Sequence, residues 1–216
     1  MKPKINCTLC PRLYKFRKQN QKQHANWHNA PVESFGDING ELLIVGLAPG
    51  LRGANRTGRP FTGDWAGDLL YQTLDKFGFS HGRYAGETSD GLKLENCRIT
   101  NAVRCLPPEN KPLGAEIASC NVFLKQEIFN MPNIKAIMVL GLIAHNATLT
   151  ALGLRKTKYK FFHGMSSDKA QQTHYGKMEK YRASEGRVLK IPYKGDLNET
   201  VQDYLGGLRS TCTYIN

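Results

Sequence analysis

The sequence predicts an α/β protein built on a central, mostly parallel sheet of four strands. Short apolar runs that end abruptly at glycine or at a polar residue have the length and composition of fully buried strands. They alternate with longer segments whose apolar residues recur at helical spacing, and this alternation is typical of βαβ units. The 216 residues allow one sizeable core, and no internal repeat or linker divides them, so we expect a single domain over residues 1–216.

The first half of the chain supplies the first strand and a long loop. A polar stretch of about thirty residues at the N-terminus predicts a short helix and a connector. The first strand, Leu42 to Val45, is stopped by Gly46 and leads into a glycine-rich loop that ends at about Gly63. Thr62 or Asp64 is placed to cap the helix that follows. The apolar side of that helix carries Trp65, Leu69, Leu70 and Leu74.

The second half predicts the remaining strands and helices. Residues 97–105 form the second strand, and residues 134–141 form the third, which again closes on a glycine. The other predicted elements are helices at 115–130, 142–154 and 198–208 and a fourth strand at 187–193. Residues 157–186 are polar and predict no element. Because the carboxyl ends of parallel strands meet at one edge of a sheet, we expect the functional loops there.

The charge points to a polyanionic partner. Lys and Arg number 30 against 18 Asp and Glu, which gives a formal charge of +12. Nucleic acid is the partner that such a surplus favours, although a generically basic protein stays an alternative. No apolar run approaches the roughly 20 residues of a membrane span, and the N-terminus lacks the apolar core of a secretory signal. We therefore expect a cytoplasmic protein of bacterial or archaeal type without a membrane partner.

The six cysteines include one pair at metal-binding spacing. Cys7 and Cys10 form a CxxC, which places two thiolates on one side of a turn, and Cys105 and Cys120 are candidates for two more ligands. Four thiolates suit zinc or an iron–sulfur cluster, and spacing alone does not choose between them. A redox CxxC beside ordinary buried cysteines is the alternative.

The loop after the first strand has the composition of a ligand-binding loop. Six of the residues from 46 to 70 are glycine, which allows a backbone to approach a ligand closely. The loop lacks the G-x-x-x-x-G-K-[ST] pattern of a nucleoside triphosphate site. Phe61 is a large aromatic residue in polar surroundings, Asp64 is the nearest carboxylate, and Asn101 ends the second strand with an amide able to bind a base edge.

These segments together resemble the iron–sulfur uracil-DNA glycosylases, the family 5 (type b) branch of the uracil-DNA glycosylase superfamily. The resemblance covers roughly residues 7 to 165. The matching segments are CTLCPRL at 7–13, SFGD at 34–37, GLAPG and GANRTGRPFTGD within 46–64, TNAVRCLPPENKP at 100–112 with Cys120 after it, and FHG at 162–164. The resemblance implies a three-layer α/β/α sandwich and a structural [4Fe-4S] cluster held by Cys7, Cys10, Cys105 and Cys120.

The resemblance also implies an activity and a site. The expected substrate is DNA that contains uracil or another deaminated base, and a monomer hydrolyses the N-glycosidic bond to leave an abasic site. A base inside a duplex must be flipped into a pocket first. Phe61 is expected to stack on that base, Asn101 to read its edge, and Asp64 to orient water or stabilise the sugar cation. Asp64 also suits a helix cap, and one residue can do both. The remaining expected contacts are Gly46, Leu47, Ala48, Pro49, Gly50, Asn55 and His163 for the substrate and Arg52, Arg56 and Arg59 for DNA phosphates.

The C-terminal part departs from the family pattern. The family's last motif carries a histidine that donates to the uracil O2, and that motif is not intact here. In IPYKGDLN at 191–198, Lys194 stands where the histidine is expected, and a lysine is a charged donor able to stabilise an anionic O2. Loss of the histidine equally suits a second hypothesis, a catalytically weak homologue that binds damaged DNA. A third, a zinc-bearing DNA-binding module unrelated to glycosylases, predicts a colourless protein.

Overall fold

A five-stranded, mostly parallel sheet forms the centre of the computed structural model, which describes residues 2–161 and the backbone of 187–191. The strands are β1 (Phe35–Gly36), β2 (Leu42–Gly46), β5 (Cys97–Asn101), β6 (Ala136–Leu140) and β7 (Arg187–Ile191). Their order across the sheet is β1-β5-β2-β6-β7. The four predicted strands are the parallel ones, and β1 is added at one edge as a two-residue antiparallel strand. A separate two-stranded sheet pairs β3 (Ser80–His81) with β4 (Lys93–Leu94).

Helices cover both faces of the sheet, as in a three-layer α/β/α sandwich. The helices are α1 (Pro11–Gln23), α2 (Ala54–Thr57), α3 (Trp65–Lys76), α4 (Gly114–Asn130) and α5 (Leu142–Ala151). Every residue of β2 is buried, and successive side chains point to opposite faces. Leu42 and Ile44 belong to the core beneath α3, whereas Leu43 and Val45 belong to the core beneath α4 and α5. Burial on both sides explains why β2 is a continuous apolar run.

The register of the parallel strands brings the predicted loops to one edge. Gly46 at the end of β2 pairs with Asn101 at the end of β5, so the loops after both strands leave the sheet side by side. The predicted helix after the glycine-rich loop begins at Trp65, with Asp64 as its N-cap. The predicted turn after β5 contains a 3-10 helix, Pro108–Asn110. The predicted helix at 198–208 lies outside the described residues.

In the part of the chain that the structure describes, no helix has both the length and the apolar character that a membrane span requires.

Candidate base pocket and cysteine cavity

Phe61 and Asn101 meet above Gly46 at the carboxyl edge of the sheet. A Cβ built on Gly46 would lie 2.6 Å from Cε2 of Phe61 and 2.5 Å from Oδ1 of Asn101. The missing side chain of Gly46 is therefore the space that the aromatic ring and the amide share. The structure thus brings together three residues that the sequence predicts as substrate contacts.

The amide of Asn101 is free to bind a ligand. Asn101 is only 4% exposed as a residue, and no hydrogen bond within residues 2–161 uses its side chain. Its amide atoms are not among the fully buried side-chain atoms that lack a partner, so they remain accessible from the pocket. A ligand that offers both a donor and an acceptor can therefore pair with this amide.

Aromatic neighbours hold Phe61 in an uncommon backbone conformation. Its φ is +56°, which few residues other than glycine adopt. The hydroxyl of Tyr84 donates to the carbonyl of Phe61 over 3.4 Å, and the hydroxyl of Tyr71 donates to the carbonyl of Pro60 over 2.7 Å. A Cβ on Gly67 would overlap the Phe61 carbonyl, so the first turn of α3 lies directly against this backbone. Strain that neighbours hold in this way is common at ligand sites.

Backbone N–H groups line the start of the same loop. The carbonyls of Gly46 and Leu47 accept hydrogen bonds from Ala102 and Val103 over 2.9 and 3.0 Å, which fixes the loop against β5. The N–H groups of Leu47, Ala48 and Gly50 donate to nothing within the described part of the chain. Pro49 has no N–H and is buried. Three free donors beside the pocket can hold a water molecule or an electron-rich atom of a base.

Asp64 combines a structural contact with a free oxygen. Its Oδ1 accepts a hydrogen bond from the N–H of Gly67 over 2.8 Å, which makes it the N-cap of α3. The side chain is exposed, and its second oxygen accepts no hydrogen bond from the residues that the structure describes. The cap fixes the carboxylate in place, and the second oxygen can accept a proton from water or face a positive charge.

The three loop arginines have different surroundings. Arg59 is 3% exposed and forms a bidentate ion pair with Asp90, with distances of 2.8 and 2.6 Å. The charge of Arg59 is thus neutralised inside the protein, which does not favour a phosphate contact, and the predicted contact of Arg59 with DNA stays a prediction. Arg56 pairs with Glu87 over 2.7 Å at the surface. Arg52 is exposed and has no acidic partner within the described residues, so it is the one of the three whose charge is free for a phosphate.

Asn55 serves the loop rather than the pocket. Its side chain is 1% exposed, and its Nδ2 donates to Oδ1 of Asn29 over 2.9 Å. The N–H of Asn29 donates in turn to the carbonyl of Asn55 over 3.0 Å. This pairing ties α2 to the connector after α1 and occupies the side chain of Asn55, so its substrate contact stays a prediction that the geometry does not favour.

The four predicted cysteine ligands line one cavity. Cys7 and Cys10 precede α1, Cys105 follows β5, and Cys120 lies on α4. Leu13 of α1 packs against the β5 and α4 side of this cavity. The segments are further joined by Arg12, whose guanidinium donates to both carboxylate oxygens of Glu116 over 2.7 Å.

Burial favours the protonated form of two thiols of the cavity, those of Cys10 and Cys105. Burial, with Cys120 nearby, raises the pKa of Cys10 to about 11, and burial raises the pKa of Cys105 to about 12. The guanidinium of Arg17 opposes the second shift, since its Nη1 donates to Sγ of Cys105 over 3.3 Å. Ligation by a metal requires thiolates, so bound iron or zinc would have to displace these protons.

The cavity brings four thiols to one place, and four thiolates suit either tetrahedral zinc or an iron–sulfur cluster. Among residues 2–161, no three Cys, His, Asp or Glu side chains form a ready site for a metal ion.

Two predicted residues, His163 and Lys194, lie outside the described residues. The structure adds three residues that the sequence did not indicate, namely Asp90, Tyr84 and Arg17. Each acts through a partner that is distant along the chain: Asp90 lies 31 residues from Arg59. A polar turn residue such as Asp90 carries no signal in the sequence that distinguishes it from a solvated loop.

The amino-acid sequence of the chain is similar to those of known proteins. A family model described as the uracil DNA glycosylase superfamily matches residues 33–199. The type-5 uracil-DNA glycosylase of Thermus thermophilus is 41% identical over 164 residues, which are 73% of this chain and 74% of that protein. The type-5 uracil-DNA glycosylase of Pyrobaculum aerophilum is 36% identical over 160 residues, 72% of this chain and 70% of that protein.

A shorter stretch matches a different kind of protein. GMP reductase of Onchocerca volvulus is 61% identical over 57 residues, which are 26% of this chain and 16% of the reductase. The match is higher in identity than those to the glycosylases, but it covers only a small part of the reductase.

Proposed function

The chain belongs to the uracil-DNA glycosylase superfamily, and from that premise we propose that it hydrolyses the N-glycosidic bond of uracil in DNA to leave an abasic site. The observation that supports this most directly is the amide of Asn101, which meets the ring of Phe61 above Gly46 and makes no hydrogen bond within residues 2–161. The relatives' names favour an active enzyme over a homologue that only binds damaged DNA. The proposed substrate is DNA carrying uracil or other deaminated bases, and the proposed location is the cytoplasm, with the protein acting as a monomer.

The proposed reaction assigns one task to each group. Phe61 stacks on the flipped base, and Asn101 donates to and accepts from its edge. Asp64 accepts a proton from the water whose oxygen attacks C1′ of the sugar. The C1′–N1 bond breaks, and its electron pair leaves with the uracil, whose oxygen is stabilised by N–H donors such as those of Ala48 and Gly50.

The test is a single-turnover assay on a duplex with one uracil opposite guanine, in which alkali cleaves the strand at abasic sites. We expect cleavage by the native chain and at least a 100-fold slower rate for Asp64→Asn, because asparagine keeps the helix cap but cannot accept the proton. Asp75→Asn, at the other end of α3, is the matched control and should cleave at the native rate. A native rate for Asp64→Asn would exclude the carboxylate from the reaction.

We further propose that Cys7, Cys10, Cys105 and Cys120 hold a [4Fe-4S] cluster. The convergence of the four cysteines on one cavity and the type-5 relatives support this. When bound, the cluster links α1 to the loop after β5 and to α4, so its contribution is structural. The guanidinium of Arg17 and the N–H of Arg104, which donate to Cys105 and Cys120 over 3.3 and 3.4 Å, would stabilise the sulfur charge.

Replacement of one ligand tests this proposal. Cys105→Ser is expected to lose bound iron and brown colour and to unfold at a lower temperature, measured by iron and sulfide content and by thermal melting. Cys97→Ser is the control, because Cys97 is buried under α3 and its thiol donates to the carbonyl of Phe79. Stoichiometric zinc in the native chain, or full iron in Cys105→Ser, would contradict the cluster.

The reductase match concerns two predictions. One is that Lys194 replaces the family histidine, and the other is that residues 1–216 form a single glycosylase-like domain. The glycosylase matches cover about three quarters of the chain and the reductase match covers 26%. We propose that the reductase match falls on the C-terminal quarter, because its 57 residues and the 164 residues of the first glycosylase match together span about the length of the chain. The superfamily model overlaps this quarter up to residue 199 and so includes Lys194, but the family histidine motif is absent there. A lysine in such a segment would not descend from a glycosylase donor. The cleavage rate of Lys194→Ala separates the two hypotheses. A rate below that of the native chain supports Lys194 as the donor to the uracil O2. A native rate supports the proposal that Lys194 belongs to the reductase-like segment.

A further inference from the structure

Trp65 is an exposed aromatic residue at the start of α3, four positions after Phe61. Its side chain is 61% exposed, although tryptophan is highly buried on average. It is the first residue of α3 and directly follows Asp64. Two residues further on, Gly67 lies against the carbonyl of Phe61. Trp65 therefore stands beside the pocket and contributes little to the core.

A second exposed apolar residue and a cation without an acidic partner among the described residues lie on the loop segment that packs against residues 62–63. Leu51 is 36% exposed, and Arg52 follows it. A Cβ on Gly63 would lie 2.9 Å from the carbonyl oxygen of Arg52, so residues 52–53 pack against residues 62–63, two positions before Trp65. We call Leu51, Arg52 and Trp65 the rim of the pocket.

The chemistry of the rim fits DNA better than another protein or a membrane. Arg52 has no acidic partner within the described residues, and the whole chain carries a formal charge of +12. The carboxylates of Asp64 and Asp68 at the start of α3 would repel phosphate from the Trp65 side. An aromatic surface flanked by a cation on one side and carboxylates on the other suits a base on the ring and a phosphate on the arginine.

We propose that Trp65 stacks on a DNA base next to the flipped nucleotide and that Arg52 binds the adjoining phosphate. The inference rests on the proposed glycosylase function, and it adds a contact that the pocket residues do not supply. Flipping leaves the neighbouring bases without a stacking partner, and an indole ring at the pocket mouth replaces part of that contact. Loss of the ring is expected to weaken binding of damaged DNA about tenfold.

The two tryptophans of the chain allow a direct measurement. Trp27 stacks on His24 with 3.9 Å between ring centroids, so Trp27→Phe keeps a stacked ring and leaves Trp65 as the only indole. This variant is titrated with a duplex that contains a tetrahydrofuran abasic analogue, which the enzyme cannot cleave, while anisotropy of a dye on the DNA reports binding independently. We expect strong quenching of Trp65 fluorescence on binding.

Binding variants complete the test. Trp65→Ala should bind the abasic-analogue duplex about tenfold more weakly, whereas Trp65→Phe should recover most of the affinity. The control is Phe129→Ala, an aromatic residue 42% exposed at the far end of α4, which should bind like the native chain. Binding without quenching, or native affinity in Trp65→Ala, would overturn the inference while cleavage by the native chain stands. Absence of both cleavage and binding in the native chain would instead remove the proposed function and this inference with it.

Discussion

Replacing Gly46 with alanine is expected to reduce uracil cleavage by about 100-fold or more. The new Cβ would lie 2.5 Å from Oδ1 of Asn101 and 2.6 Å from Cε2 of Phe61, whereas carbon atoms pack at about 3.5–4.0 Å. The ring and the amide would have to separate by about 1 Å, and misplacement of that size costs roughly 100-fold in rate. The measurement is the single-turnover rate at saturating enzyme.

The matched control for this substitution is Gly114→Ala. Gly114 begins α4, has no atom within 4 Å of a built Cβ, and adopts a backbone conformation open to alanine. It should retain both the native rate and the native melting temperature. A Gly46→Ala variant that cleaves at the native rate would show that the base does not bind between Phe61 and Asn101.

Replacing Asp90 with alanine is expected to destabilise the fold by about 3–5 kcal/mol, the range for a buried ion pair that loses one partner. Arg59 would be left buried against the rings of Phe35, Tyr71 and Tyr84, at 5.2–5.5 Å from their centroids. The carboxylate of Asp90 also accepts hydrogen bonds from the backbone N–H groups of Ala85 and Leu92, over 2.9 and 3.0 Å. Denaturant unfolding checks the result. The control is Glu87→Gln, which removes the exposed ion pair between Glu87 and Arg56. This variant should lower the free energy of unfolding by at most about 1 kcal/mol.

The ion pair between Arg59 and Asp90 also makes the free energy of unfolding depend on pH. The hydrogen bonds from Arg59 hold the pKa of Asp90 well below its usual range. A lowered folded-state pKa contributes stability that is fully present above the unfolded value, about 3.9, and is lost as pH falls toward the folded value. The difference in unfolding free energy between the native chain and Asp90→Ala should therefore shrink below about pH 4. A difference that stays constant from pH 6 to pH 2 would contradict this assignment.

The sequence predicted those parts of the molecule that depend on local pattern. The runs that became β2, β5 and β6 are apolar because both faces of the sheet are covered, and the backbone of 187–191 follows as predicted. The two-residue strand β1 was missed, because its pairing with β5 leaves no periodicity to detect. Helix α3 was placed by the capping preference of Asp64.

The site was predicted less completely, because its details depend on contacts between distant segments. Arg59 looks like its neighbours Arg52 and Arg56 until the fold brings Asp90 against it. Asn55 likewise finds its partner, Asn29, 26 residues away. The family resemblance implied that Phe61 and Asn101 converge. The role of Gly46 in allowing this depends on a close approach between three segments of the fold, which the sequence does not reveal.

The four cysteines of the cavity are synthesised at different times, because they lie far apart along the chain. Cys7 and Cys10 leave the ribosome roughly a hundred residues before Cys105 and Cys120, an interval of about 5–20 s at ordinary elongation rates. During that interval helix α1 has no surface on which to dock, and its two thiols are open to oxidants and to competing metals. Under the proposed cluster assignment, slower elongation or oxidative stress would lengthen or worsen this exposure and so lower the fraction of chains that acquire iron.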